Sequence, residues 1–195
     1  MRIVAGDWRG RRLESPPGQT TRPTTDRVRE SLFNILQHAE WAQHTASLLT
    51  QGDALVLDAF AGSGALGFEA LSRGAERAWF WDKSASAVTT IRANAQHLKA
   101  GEQVIAQRQD ATKPTPAPRP VDLIFLDPPY EQGFIPLSLT ALQQQGWVYD
   151  MTLIVAETKK RETLTLDTSW TLLDQRNIGD TGLHFLRHQA AYERG

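Results

Sequence analysis

The stretch that decides the fold is Val56-Leu57-Asp58-Ala59-Phe60-Ala61-Gly62-Ser63-Gly64-Ala65-Leu66-Gly67. It follows an apolar run of strand length, Ala54–Asp58, and opens an apolar helix over Leu66–Arg73 that Gly74 stops. Glycines crowd the turn because the backbone must bend tightly there and approach a ligand with no side chain in the way. A strand, a glycine turn and a helix in that order begin a nucleotide-binding β-α-β unit. Asp82 ends the next strand, 20 residues beyond Gly62, where a carboxylate accepts both hydroxyls of a ribose. Gly62, Gly64 and Gly67 also satisfy G-x-G-x-x-G, so a nicotinamide-dependent dehydrogenase competes at this point.

Charge separates the two readings. Asp58 stands four residues before Gly62 and points a carboxylate into the turn. Beside a diphosphate that charge is unfavourable; beside the cationic amino group of S-adenosylmethionine it is suitable. Asp110, just after the third strand, is positioned to bond an adenine amine, with Ala111 lending its backbone N–H. The expected cofactor site comprises Asp58, Phe60, Ala61, Gly62, Gly64, Asp82, Lys83, Asp110, Ala111 and Asp127.

Outward from the loop, strand and helix signals alternate. Arg77–Asp82 reads as a strand and Ser84–Lys99 as a helix with a serine cap. Gln103–Arg108 reads as a third strand, followed by a proline-rich loop over Lys113–Pro120. Val121–Asp127 is apolar between its acids, as an interior parallel strand is. Pro136–Gln145 reads as a helix and Thr152–Glu157 as a fifth strand. Trp170–Asn177 and Leu183–Gln189 flank Gly179-Asp180-Thr181-Gly182, the pattern of an antiparallel hairpin. The sum is an α/β fold, a doubly wound Rossmann-like sheet with an antiparallel C-terminal pair.

The fourth strand ends in Asp127-Pro128-Pro129-Tyr130, at the sheet edge where such folds carry their chemistry. An exocyclic amine on a base is a poor nucleophile, because its lone pair is delocalised into the ring. Two acceptors aimed at its hydrogens, the Asp127 carboxylate and the Pro128 carbonyl, hold the nitrogen and favour a nucleophilic geometry. Proline rigidifies the turn, and Tyr130 is expected to stack on the base.

Upstream, Thr25 is expected to cap a helix with Asp26 in its first turn, buried along Val28, Leu32, Ile35, Leu36 and Ala39. Residues 2–14 suggest a short hairpin with arginines on its exposed face, followed by a loop over Ser15–Pro23. Net charge is −1, yet residues 1–29 hold seven arginines against three acids. The rest of the chain holds 14 basic and 19 acidic residues. A basic arm on an acidic body suits a polyanion met at one end, and Arg2, Arg9, Arg11, Arg12, Arg22, Arg27 and Arg29 are the candidates. Residues 1–24 are read as that arm, and 25–195 as the body of one globular domain. No cysteine, no apolar run long enough to cross a bilayer and no signal-peptide pattern occur, so the cytoplasm is the expected location. The five histidines have no ligand spacing, and no metal is expected. Trp8, among arginines, suits either base stacking or packing.

Arg2-Ile3-Val4-Ala5-Gly6, Trp8-Arg9-Gly10-Arg11, Arg22 to Glu30 and Leu32-Phe33-Asn34 resemble the RsmD family, as do the glycine loop, Asp127–Tyr130 and Gly179–Leu186. The resemblance implies a seven-stranded S-adenosylmethionine-dependent methyltransferase sheet with an N-terminal β-hairpin extension. It implies methylation of the N2 amine of one guanine (position 966) in 16S ribosomal RNA. The substrate is then RNA within a partly assembled small ribosomal subunit, and the protein is expected to act as a monomer. The ribose acid is Asp82 where the family often has Glu. Rival readings are a DNA adenine-N6 methyltransferase, a protein glutamine methyltransferase, and a non-catalytic RNA-binding assembly factor on the same scaffold.

Overall fold

The computed structural model describes residues 1–17, 25–129 and 132–189. Its sheet has seven strands: β1 Leu55–Asp58, β2 Arg77–Asp82, β3 Val104–Arg108, β4 Leu123–Leu126, β5 Leu153–Lys159, β6 Trp170–Ile178 and β7 Thr181–His188. Their order is β3-β2-β1-β4-β5-β7-β6. The first five are parallel, and β7 enters antiparallel between β5 and β6. The winding therefore reverses between β1 and β4, which pair Val56 with Leu123 and Asp58 with Phe125. In such sheets a ligand site lies beyond the carboxyl ends of the strands at that reversal.

Alternating side chains fill two cores. On one face Val56, Phe80, Phe125, Val155 and Phe185 pack under α1 Asp26–His38, α3 Ala65–Ser72 and α4 Ala85–Leu98. On the other, Leu57, Trp79, Trp81, Ile124 and Ile154 pack under α5 Phe134–Gln144. Trp147 stands edge-on to Trp79 and Trp81, at 5.8 and 4.7 Å between ring centres. The proline-rich loop covers this tryptophan: its indole N–H donates to the Thr115 carbonyl at 2.8 Å, and Ala117 N–H donates to the Gln145 carbonyl. Most of the expected elements stand within two residues of their observed ends. The fourth strand is shorter than its apolar run, because Val121 already pairs its N–H with Trp147 outside the sheet.

Thr25 caps α1 through Val28 N–H, and Ser84 caps α4 through Ala87 N–H, as expected. Phe33 completes the buried stripe of α1, whereas Ala39 lies beyond its end. A second helix, α2 Gln43–Gln51, follows where the sequence reading has none. Only Thr45 and Leu49 of it are buried, so its apolar pattern is too thin to register.

The first residues form a narrow hairpin with an antiparallel bridge between Arg2 and Arg12. Its apolar side chains join the core: Ile3 and Leu13 are buried in the cluster beneath α1 and α3, and Trp8 packs against that cluster. Helix α3 supplies the dock. Glu69, fully buried, accepts the Val4 and Ala5 N–H groups at 2.8 and 2.9 Å. Ser72 donates its hydroxyl to the Ala5 carbonyl, and the Trp8 and Asp7 amides donate back to Ser72. Gly6 has a φ of +78°, and a Cβ there would lie 1.7 Å from the Ser72 carbonyl oxygen, so no other residue fits.

Candidate active site

Asp58 ends β1, is 2% exposed and accepts the Gly67 N–H at 3.0 Å. Burial pushes its carboxyl up to about 7; the Gly67 hydrogen bond opposes the shift and the nearby Asp82 charge adds to it. Asp82, at the end of β2, ties the loop from the other side. One of its oxygens accepts Gly62 N–H at 3.0 Å and the other accepts Ser84 N–H at 2.8 Å. Each oxygen is thus already engaged, with a second lone pair left for a hydroxyl. The loop glycines serve packing as well as the turn. A Cβ on Gly64 would meet Phe68 at 2.6 Å, and one on Gly67 would meet Phe80 at 2.3 Å.

Asp110 is fastened within its own turn. It accepts the Thr112 N–H and hydroxyl through one oxygen and pairs with the Lys83 ammonium at 2.9 Å through the other. Burial acts to raise its pKa, but the Thr112 bonds and Lys83 outweigh it and hold the carboxyl below the usual range. Ala111 beside it is buried. The Lys83 nitrogen also lies 5.5 Å above the Phe134 ring, which stacks at 6.3 Å on Phe60. Phe60, Lys83 and Asp110 are therefore gathered on one side of the loop, with Phe134 as a member the sequence reading lacks.

Asp127 and the buried Pro128 leave β4 next to β1, and Pro129 is exposed. Tyr130 lies outside the described residues, as does Arg22. Behind the Asp127–Pro129 turn is a cavity of about 170 Å³ walled by Pro128, Pro129, Phe134, Glu157 and Leu164 among others. Glu157 and Leu164 are absent from the expected site. Glu157 has a signal in the sequence, an acid closing the apolar run of the fifth strand as Asp58 and Asp127 close theirs.

The arginines divide. Arg9, Arg12 and Arg27 are exposed, and Arg2 is exposed with an ion pair to Asp26 at 3.2 Å. Arg11 is half-buried and donates to the Leu98 carbonyl. Arg29 corrects the expectation of an RNA contact: its side chain is 1% exposed. Its guanidinium donates to Asp26 and to the Arg2 carbonyl, both at 2.7 Å, and so clamps the hairpin to α1. Among the described residues no group of three or more His, Asp or Glu side chains is arranged to hold a metal ion. No helix among them is long and apolar enough to cross a membrane.

The family model described as "Conserved hypothetical protein 95" matches residues 1–187. Ribosomal RNA small subunit methyltransferase D of Escherichia coli K12 is 34% identical over 99% of this chain and 92% of its own length. The solved structure of the Escherichia coli protein yhhF superposes with a TM-score of 0.77 at 35% identity, covering 97% of this chain and 98% of that one. An RNA methyltransferase from Salinibacter ruber, solved in complex with S-adenosyl-L-homocysteine, shares the fold at a TM-score of 0.63 and 14% identity, over 88% of this chain and 97% of that one. With a glycine loop, a strand-end Asp-Pro-Pro and a docked basic hairpin in one chain, and relatives matched over almost its whole length, this protein belongs to the RsmD family.

Proposed function

We propose that the chain transfers a methyl group from S-adenosylmethionine to the exocyclic N2 amine of one guanine in 16S ribosomal RNA. One observation carries the reading: Asp127 and its two prolines leave β4 beside Asp58 at the end of β1, where the sheet reverses its winding. The relatives named for ribosomal RNA methylation support the reaction class.

The loop residues fit the cofactor. Asp58 is a buried acid raised to about 7, and a cationic amino group beside it returns it to its ionised form. Asp82 retains lone pairs for the ribose hydroxyls, Asp110 and Ala111 flank the adenine, and Phe60, Ala61, Gly62, Gly64 and Lys83 line the path between. When bound, S-adenosylmethionine supplies a methyl group already activated on a positively charged sulfur. The chain's own residues then have to hold and orient the nucleophile. The Asp127 carboxylate and the Pro128 carbonyl accept the amine hydrogens, and Asp127 takes the proton the nitrogen sheds. Pro129 stiffens the turn, and Tyr130 supplies the aromatic face for the base. A base in a duplex cannot enter such a cleft, so the target guanine is unpaired or flipped out.

Arg2, Arg9, Arg11, Arg12 and Arg27 are assigned to phosphate contacts, with the protein acting as a monomer on a partly assembled subunit. The test is Asp127→Ala on unmethylated small subunits: the gain of one methyl seen by mass spectrometry of the RNA is lost while the variant remains folded. Unchanged methylation by that variant overturns the mechanism.

A further inference from the structure

The cavity behind the Asp127 turn is lined by two acids, the buried Glu157 and the half-buried Glu162, that the methyl-transfer mechanism does not use. Glu157 is 5% exposed and lines it together with Pro128, Pro129, Phe134 and Leu164. β4 and β5 are parallel neighbours, and their last registered pair is Leu126 with Ala156. The residue after each is an acid: Asp127, just past the end of β4, and Glu157, within β5. Adjacent strands run about 4.8 Å apart, so the backbones that carry the two acids are neighbours at this edge of the sheet. Thr181 on β7 donates its hydroxyl to one Glu157 oxygen at 3.4 Å, which steadies the side chain from the far side.

We propose that Glu157 is the residue that selects guanine, by accepting N1–H and one N2–H on the Watson–Crick edge. The inference rests on the proposed methylation of a guanine amine. Guanine alone among the four RNA bases presents two adjacent donors on that edge, and a carboxylate presents two adjacent acceptors. Adenine presents an acceptor at N1, which a carboxylate repels. The N2 hydrogen on Glu157 is shared with the Pro128 carbonyl, the other is held by Asp127, and the nitrogen lone pair is left out of plane for attack. Pro128, Phe134 and Leu164 set apolar surface beside those bonds, which lowers the local dielectric around them.

The test uses small subunits reconstituted with 2-aminopurine in place of the target guanine. That base keeps the N2 amine but has an acceptor at N1 and no O6. Wild-type protein is expected to favour guanine in kcat/KM by about 10- to 100-fold, the factor a bidentate contact carries. Glu157→Gln can accept N2–H with its oxygen and donate to N1 with its amide. Its preference is therefore expected to shift toward 2-aminopurine by a similar factor, with cofactor affinity unchanged. Equal wild-type rates on the two bases, or an unchanged ratio in Glu157→Gln, overturn the assignment. If that variant does not fold, Glu157→Asp, which keeps the charge but draws it back from the base, is expected to lose part of the preference for guanine, and an unchanged ratio there overturns the assignment. A wild-type protein that methylates neither base overturns the guanine-amine reading itself, a result distinct from loss of selectivity.

Discussion

Asn94 on α4 and Glu14 at the end of the hairpin hold each other in both directions: Glu14 N–H donates to the Asn94 side chain at 2.8 Å, and Asn94 donates to the Glu14 carbonyl at 3.1 Å. The same amide nitrogen donates to the Ser63 carbonyl in the glycine loop at 3.0 Å. One buried side chain thus joins the hairpin to the cofactor loop, and what disturbs one reaches the other.

Asn94→Ala removes all three bonds and leaves buried backbone groups without them. The expected loss is about 2–4 kcal/mol of stability, read from the urea midpoint. Because Ser63 loses its tether, cofactor affinity is expected to fall as well. A variant with full cofactor affinity contradicts the linkage.

Glu69 carries the dock of the hairpin and pairs with Arg73 at 2.9 Å. Glu69→Ala leaves the Val4 and Ala5 amides and the Arg73 guanidinium without it, a change that costs about 3–5 kcal/mol. Hydrogen exchange is expected to show protection lost first over residues 1–13. Gly6→Ala is expected to do the same through its clash with Ser72 and the strain of a side chain at a φ of +78°.

The raised pKa of Asp58 gives stability a pH dependence of definite sign. Its folded value of about 7 lies above the ordinary value of 3.8, so the stability it confers is complete below about 4 and is lost as pH rises through 7. Asp58→Asn removes the cost of the buried charge, so its stability relative to wild type is expected to be greater at pH 8 than at pH 5. Cofactor affinity should move the other way in wild type, rising with pH through about 7, and stay flat in Asp58→Asn. Calorimetric titration across that window reads both.

Arg9, Arg12 and Arg27 are exposed, whereas Arg29 is an internal clamp. Replacing the three exposed arginines with alanine is expected to flatten the salt dependence of RNA binding. The log–log slope should fall by roughly 0.7–0.9 for each phosphate that is no longer neutralised. Melting temperature should hardly change. Arg29→Ala is expected to do the reverse, lowering stability by about 1–3 kcal/mol because Asp26 and the Arg2 carbonyl lose their partner. A slope unchanged in the triple variant removes these arginines from the RNA interface.

Much of this site is legible in the sequence, because it is written in local chemistry. The glycine loop, the acids at strand ends and the caps Thr25 and Ser84 each act within a few residues of themselves, and those signals survive in a linear reading. What escapes acts over distance. Nothing about Glu69 or Asn94 in sequence says that each is buried and bonded to backbone 64 or 80 residues away. Arg29 looks like its neighbours in an arginine-rich leader, and only packing against Met1 and Asp26 separates it from them. The α2 helix hides for the opposite reason, since it buries too little to leave a pattern.

Methyl transfer to a guanine amine is read most plainly from the modified nucleoside itself. Purified protein is incubated with labelled S-adenosylmethionine and small ribosomal subunits that lack methylation, and the digested RNA is resolved into nucleosides. Label is expected in N2-methylguanosine, at a single position. Label in a different nucleoside, or none despite tight cofactor binding, would rule that reaction out.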